Sequence, residues 1–178
     1  ILFVIKANAQ TTVFRDTVLL LNGNVITTTI LDTNFGVVIC KNPKPDKDNL
    51  EIENDRIFSI TLGGKETIIY TYDTTIGNDY TVDEMRYYIK GEQDALKHFK
   101  PKGAIWTNAA IGVASGASGS FFSPIPPFLF TACTGLTKVR IRHKDVSNLE
   151  YLKHDAYILG FERVARGKRR TQSLISGG

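Results

Sequence analysis

No charged residue occurs between Lys102 and Lys138, in a chain of which 22% of residues are charged. The intervening stretch, GAIWTNAAIGVASGASGSFFSPIPPFLFTACTGLT, constrains the fold more than any other feature. Residues 103–122 are rich in small side chains, Pro124, Pro126 and Pro127 interrupt any helix they form, and residues 128–136 resume as a short apolar run. Crossing a hydrocarbon core of roughly 30 Å takes about 20 predominantly apolar residues in helix. The first half just meets that length, while the second is short unless it is re-entrant or buried against protein. The stretch therefore reads as a membrane hairpin over residues 103–137, folded back at 123–127. Because Thr107, Asn108, Ser115, Ser118 and Ser120 lower its hydropathy, a second reading stays open: a soluble module with the Gly-rich hairpin as core.

Small residues at a spacing of four let two helix backbones approach closely in lipid. Gly112, Gly116 and Ser120 have that spacing, which marks them as a helix-packing face toward the other arm or a second copy of the chain. Trp106, near Lys100 and Lys102, suits an interfacial anchor. Both flanks of the stretch are basic, so charge does not choose between a hairpin and a single span. The central prolines favour the hairpin, with both ends on one side.

The remainder falls into four parts. Residues 1–9 read as the remnant of a signal peptide, with Ala7 and Ala9 in an A-x-A arrangement and a mature start at Gln10. Residues 10–80 read as a β domain. Apolar runs at 18–21, 25–31, 35–41, 50–53, 57–62 and 67–72 are separated by turn signals, among them Asn22-Gly23, expected as a type I′ hairpin turn, and Gly63-Gly64. Thr81-Val-Asp-Glu84 is a capping box opening an amphipathic connecting helix over 81–102, with Val82, Met85, Ile89, Leu96 and Phe99 on one stripe interrupted by Glu92. Residues 138–178 form a basic helical tail. It holds ten lysines and arginines against four acids, whereas residues 1–102 hold twelve against fourteen. Ser147-Asn-Leu-Glu150 and Asp155 are helix-start signals there, and Tyr157, Phe161 and Val164 share a face. The expected fold class is α+β: a small antiparallel β-barrel or meander, SH3- or Sm-like, followed by helices that include the Gly-rich apolar helical hairpin.

Chemistry-bearing patterns are sparse. No GxSxG, HExxH, P-loop or CxxC spacing occurs, so no catalytic residue, no cofactor site and no metal site is assigned. His98, His143 and His154 all sit among cationic neighbours, a poor setting for a metal ligand. Asp46, Asp48 and Glu51 lack the spacing and turn glycine of a calcium loop. Cys40 and Cys133 lie in dissimilar contexts and are not expected to pair. Arg163, Arg166, Lys168, Arg169 and Arg170 form a basic cluster, assigned to contact with anionic lipid or a partner's acidic face. Nucleic acid is not an expected partner, for want of interleaved aromatics.

Three further runs carry a resemblance: Asp16-Thr-Val-Leu-Leu-Leu-Asn-Gly-Asn-Val-Ile, Tyr88-Ile-Lys-Gly-Glu-Gln-Asp-Ala95, and Tyr157-Ile-Leu-Gly-Phe-Glu-Arg-Val-Ala-Arg166. Together with the Gly-rich stretch and its Pro-Ile-Pro, the chain resembles a group of small uncharacterised envelope proteins of Bacteroidota. That resemblance implies an exported β domain, a "G-x-x-D-A" helix, a membrane hairpin and a basic "Y-x-x-G-[YF]" helix, and no activity. The expected function is thus a non-enzymatic, membrane-anchored cell-envelope protein. Its β domain would face the periplasm and mediate interaction or assembly, with membrane lipids, a homo-oligomer or an envelope protein as partners. An envelope hydrolase or ligand-binding enzyme with a pocket between barrel and helix is the alternative.

Overall fold

The computed structural model describes residues 16–177, apart from 35, 43, 45, 46, 118, 120, 121, 123 and 124. The signal-like segment 1–9, Ser120 and Asp46 thus lie outside the described residues. The chain divides into two compact units, one up to Tyr70 and one from Thr71 onward.

The first unit holds β1 (Thr17–Leu20), β2 (Val25–Thr27), β3 (Ile30–Asn34), β4 (Val37–Cys40), β5 (Leu50–Glu53), β6 (Ile57–Leu62) and β7 (Lys65–Ile68). These form two antiparallel sheets, β2-β1-β6-β7 and β3-β4-β5, which are not closed into a barrel. The expected barrel is corrected by what happens at Thr28-Thr29. The run 25–31 is not one strand: Thr28 N–H donates to the Asp16 carbonyl beside β1, while the Thr29 carbonyl accepts from Lys41 beside β4. The chain changes sheet at that point, and again at the 3-10 turn Asn54–Arg56. The four-stranded sheet therefore ends at β2 and β7, and the three-stranded sheet at β3 and β5.

Alternation sends Val18 and Leu20 of β1, Val38 and Cys40 of β4, Ile52 of β5, and Ile57 and Ile60 of β6 into one core. Ile57 and Ile60 are three apart, which strict period-2 pleating would put on opposite faces. A bulge resolves this. Leu19 pairs with Ser59 and Leu20 with Ile57, leaving Phe58 as the extra residue, stacked on Tyr70 at 6.0 Å. The turns also depart from expectation. The type I′ geometry, which needs positive φ at both central residues, belongs to Gly63 and Gly64 at φ 55° and 86°. At Asn22-Gly23 only the glycine has positive φ. Leu20 N–H donates to Asn24 O and Gly23 N–H to Leu20 O, as in a three-residue loop ending in a left-handed glycine.

The second unit holds α1 (Val82–His98), α2 (Lys102–Gly116), α3 (Ile125–Leu136) and α4 (Asp155–Gly177). The predicted capping box opens α1: Thr81 and Glu84 each bond the other's backbone N–H. The expected stripe needs one correction, because Glu92 does not interrupt it. Met85, Ile89, Glu92 and Ala95 are all buried, while Leu96 is exposed. The 23-residue α4, about 34 Å long, is the spine of this unit. Its N-terminal half contributes Tyr157, Phe161 and Ala165 to a core with Ala95 and Phe99 of α1 and with Val139.

Two glycines set the distance between α1 and α4. A Cβ on Gly91 would lie 2.1 Å from the Tyr157 carbonyl oxygen, and one on Gly160 would lie 2.1 Å from that of Tyr88. Each helix thus offers a glycine to the other's backbone. The helix-start signal at Ser147 is also corrected. Asn148, not Ser147, caps the single turn Leu149–Lys153, since Ser147 gives both its N–H and its hydroxyl to Asp94, at 2.9 and 2.7 Å.

Candidate functional site

α4 carries the basic cluster assigned to lipid or partner contact, and much of it is engaged inside the helical unit. Lys168 donates to the carbonyls of Ala95 (3.1 Å), Leu96 and Phe99, closing the C-terminus of α1. Arg169 does the same for α3, bonding the carbonyls of Thr134 and Thr137 at 3.1 and 3.3 Å and the Thr137 hydroxyl at 2.6 Å. The last carbonyls of a helix have no partner within it, and cations there also oppose the helix dipole. Arg163 reaches Glu92 at 3.0 Å, Arg166 pairs with Glu162 at 2.5 Å, and the Arg170 side chain lies over Gly135. Sequence reasoning treated these five as one patch; Arg166 pairs locally, four residues along α4, while packing assigns the other four to different partners.

Buried acids follow from the same packing. Glu92 is 1% exposed, and burial raises its carboxyl from the ordinary value, with Arg163 partly opposing. Asp94 accepts from the Tyr157 phenol at 2.6 Å, and burial with that bond pushes the phenol's pKa upward. The runs Gly91-Glu-Gln-Asp-Ala95 and Tyr157-Ile-Leu-Gly-Phe161 are therefore two halves of one helix crossing.

Where α1 ends and the hairpin begins, a cavity of about 700 Å³ opens. Its lining includes Lys97, Lys100, Lys102, Arg140, Arg142, Lys144 and Arg169, together with His98, against a single acid, Asp145. Local sequence explains the concentration. In Lys138-Val-Arg-Ile-Arg142, Val139 is buried and Ile141 half-buried, so Arg140 and Arg142 face outward. This alternation has the period of a strand, yet the segment joins no sheet, and the tail expected to be helical from residue 138 becomes α-helix only at Asp155. Lys102, Gly103 and Ala104, the first turn of α2, also line the cavity. No side chain caps that terminus, and a helix N-terminus carries partial positive charge and free N–H donors. The crowding reaches Lys168, whose ammonium is lowered by burial and then by Lys100.

α2 and α3 pack against each other. At 15 and 12 residues they are about 22 and 18 Å long, and no described helix is long and apolar enough to cross a membrane. The anticipated 20-residue helix over 103–122 stops at Gly116. Pro126 and Pro127 sit in the first turn of α3, where proline is tolerated, so they open a helix as well as interrupting one. One side of the hairpin packs on α4. Asn108, wholly buried, donates to the Ser173 carbonyl at 2.6 Å and to Thr131 at 3.1 Å. Elsewhere large apolar side chains face outward: Trp106 is 76% exposed, Val113 75%, Phe122 66%, Phe128 60%, Leu129 61% and Leu136 79%. Gly116 is exposed and a Cβ there would meet nothing within 4 Å; Gly112 is half-buried.

Among the described residues no group of three or more His, Cys, Asp or Glu is placed to hold a metal ion. His154 stacks on Tyr87 at 3.7 Å, and His98 lies 3.7 Å from Asp94. Cys40 and Cys133 are both free. Gly91, Asp94 and Gly160 stood in the quoted runs and Arg169 in the basic cluster, but their roles at the helix crossing and the cavity, and the part of Arg140, Arg142 and Lys144 in the lining, were missed. No protein-family model, no curated protein and no solved structure matches the chain.

Proposed function

We propose that this chain is a non-enzymatic membrane-anchored protein of the cell envelope, held to one face of a bilayer by the α2–α3 hairpin. The observation that carries this reading is the outward-facing apolar surface of Trp106, Val113, Phe122, Phe128, Leu129 and Leu136, on a segment with no charge from 103 to 137. Exposed apolar clusters of this kind mark interaction surfaces. The lipid assignment rests on charge: the cations at the base of the hairpin suit anionic headgroups, while the uncharged arms suit acyl chains. Arms of about 22 and 18 Å fit entry from one side without crossing. The strand unit remains in the aqueous phase and offers the outer strands β2 and β7, with Val25 and Ile68 exposed, to an envelope partner by strand addition.

Vesicle co-sedimentation tests the anchoring. The protein should pellet with phosphatidylcholine vesicles containing an anionic lipid, and Phe128→Glu/Leu129→Glu should stay in the supernatant with unchanged far-UV circular dichroism. A wild-type protein that stays in the supernatant beside such vesicles refutes it. A specific observation favours a second reading, the hairpin as part of a soluble module: Asn108, Thr131 and Ser173 tie α2, α3 and α4 into one buried polar junction. Under that reading the wild type self-associates in solution, through the open Gly116 face, and ignores vesicles.

A further inference from the structure

We propose that the cavity at the base of the hairpin is a binding site for a phosphate-type dianion, formed by the first turn of α2 and the arginines of the 138–142 segment. The proposal stands on the cavity and does not require the hairpin to enter a bilayer. About 700 Å³ is ample for a phosphate or pyrophosphate group with part of its carrier. Seven lysine and arginine side chains border it against one acid. Such a cluster is mutually repulsive when empty, and a multiply charged anion relieves the repulsion of several cations at once. Arg140 and Arg142 supply planar donor forks suited to phosphate oxygens, and the uncapped α2 terminus supplies backbone N–H groups and the positive end of a helix dipole. A carboxylate, with one charge and two oxygens, would leave most of these donors unused. A nucleic-acid strand would want an exposed aromatic platform for its bases, but the aromatics here, Phe99 and Phe130, are buried and half-buried.

The shared chemistry is a phosphate dianion, which a soluble phosphate compound or a phosphomonoester lipid headgroup can present. Titration calorimetry with inorganic pyrophosphate, and co-sedimentation with phosphatidylcholine vesicles with and without phosphatidic acid, separate the two sources. The variant is Lys102→Gln/Arg142→Gln, with Arg140→Gln/Lys144→Gln as a second. All four positions are exposed, and circular dichroism checks the fold. Lys47→Gln/Lys65→Gln in the strand unit removes the same charge elsewhere. Binding should weaken at least ten-fold in the cavity variants and less than two-fold in the control, with pyrophosphate, with phosphatidic acid, or with both. Pyrophosphate binding that also survives Phe128→Glu/Leu129→Glu holds whether or not the hairpin enters lipid. No binding in either assay overturns the proposal, and so does equal weakening in cavity and control variants, which would mean diffuse charge alone.

Discussion

Substituting alanine for glycine at two places in the same helix should change stability in opposite directions. Ordinary contact for a Cβ begins at 3.4 Å, and on Gly160 it would meet the Tyr88 carbonyl oxygen at 2.1 Å. Gly160→Ala therefore forces α1 and α4 apart by about 1.3 Å. The obstructing atoms are backbone, so no side chain can swing aside. Overpacking of this kind costs about 1–3 kcal/mol, and the upper end applies because separation also loosens the contacts of Tyr157, Phe161, Ala95 and Phe99. Alanine returns about 1 kcal/mol through helix propensity, leaving a net loss of about 2 kcal/mol. In a unit of this size that lowers the thermal midpoint by about 8–16 °C. At Gly167, also in α4, an added Cβ meets nothing within 4 Å, so only the gain of up to about 1 kcal/mol remains and Gly167→Ala should raise the midpoint. Gly91→Ala should resemble Gly160→Ala, and the double variant should cost less than the sum, because one separation makes room for both methyls. The assay is thermal and urea unfolding of the full chain followed at 222 nm. Gly160→Ala as stable as the wild type, or Gly167→Ala equally harmful, would refute the close crossing.

Two further predictions concern charges inside the helical unit. Burial raises Glu92 from its ordinary 4.5, so its folded-state pKa lies above the unfolded one; the stability it contributes is full below pH 4.5 and is lost as pH rises through the folded value. Glu92→Gln removes that loss while Arg163, largely exposed, stays hydrated, so its urea midpoint relative to wild type should improve as pH rises above 4.5; a constant difference would show that Glu92 titrates normally. Lys168→Met removes the cation that closes α1 and should cost about 1–2 kcal/mol in urea unfolding with vesicle binding unchanged. Weakened vesicle binding at wild-type stability would restore Lys168 to the role of lipid contact.

Local patterns determined a good part of this protein. Thr81 and Glu84 announce α1 because a capping box depends on four consecutive residues. The stripe Met85, Ile89 and Phe99, the strands 50–53 and 57–62, and the two apolar helices α2 and α3 follow from periodicity and from the absence of charge, both local properties. What sequence reasoning could not supply was the partner of each group. Glu92 looked like a break in an apolar stripe until Arg163, 71 residues later, came within 3.0 Å. Lys168 and Arg169 looked like free surface charge until α1 and α3 ended beneath them. Gly91 and Gly160, each set against a backbone carbonyl of the other helix, lie on different helices, so no spacing within one helix pairs them as it pairs Gly112 with Gly116. The barrel became two open sheets at Thr28-Thr29, where hydrogen-bond partners 12 residues to either side divide the strand. The cavity unites α1, the start of α2 and the 138–142 segment, so its charge density exists only after folding. Propensity and pattern act within a few residues, whereas burial, capping by distant side chains and electrostatic crowding depend on which segments meet, and only the tertiary structure decides that.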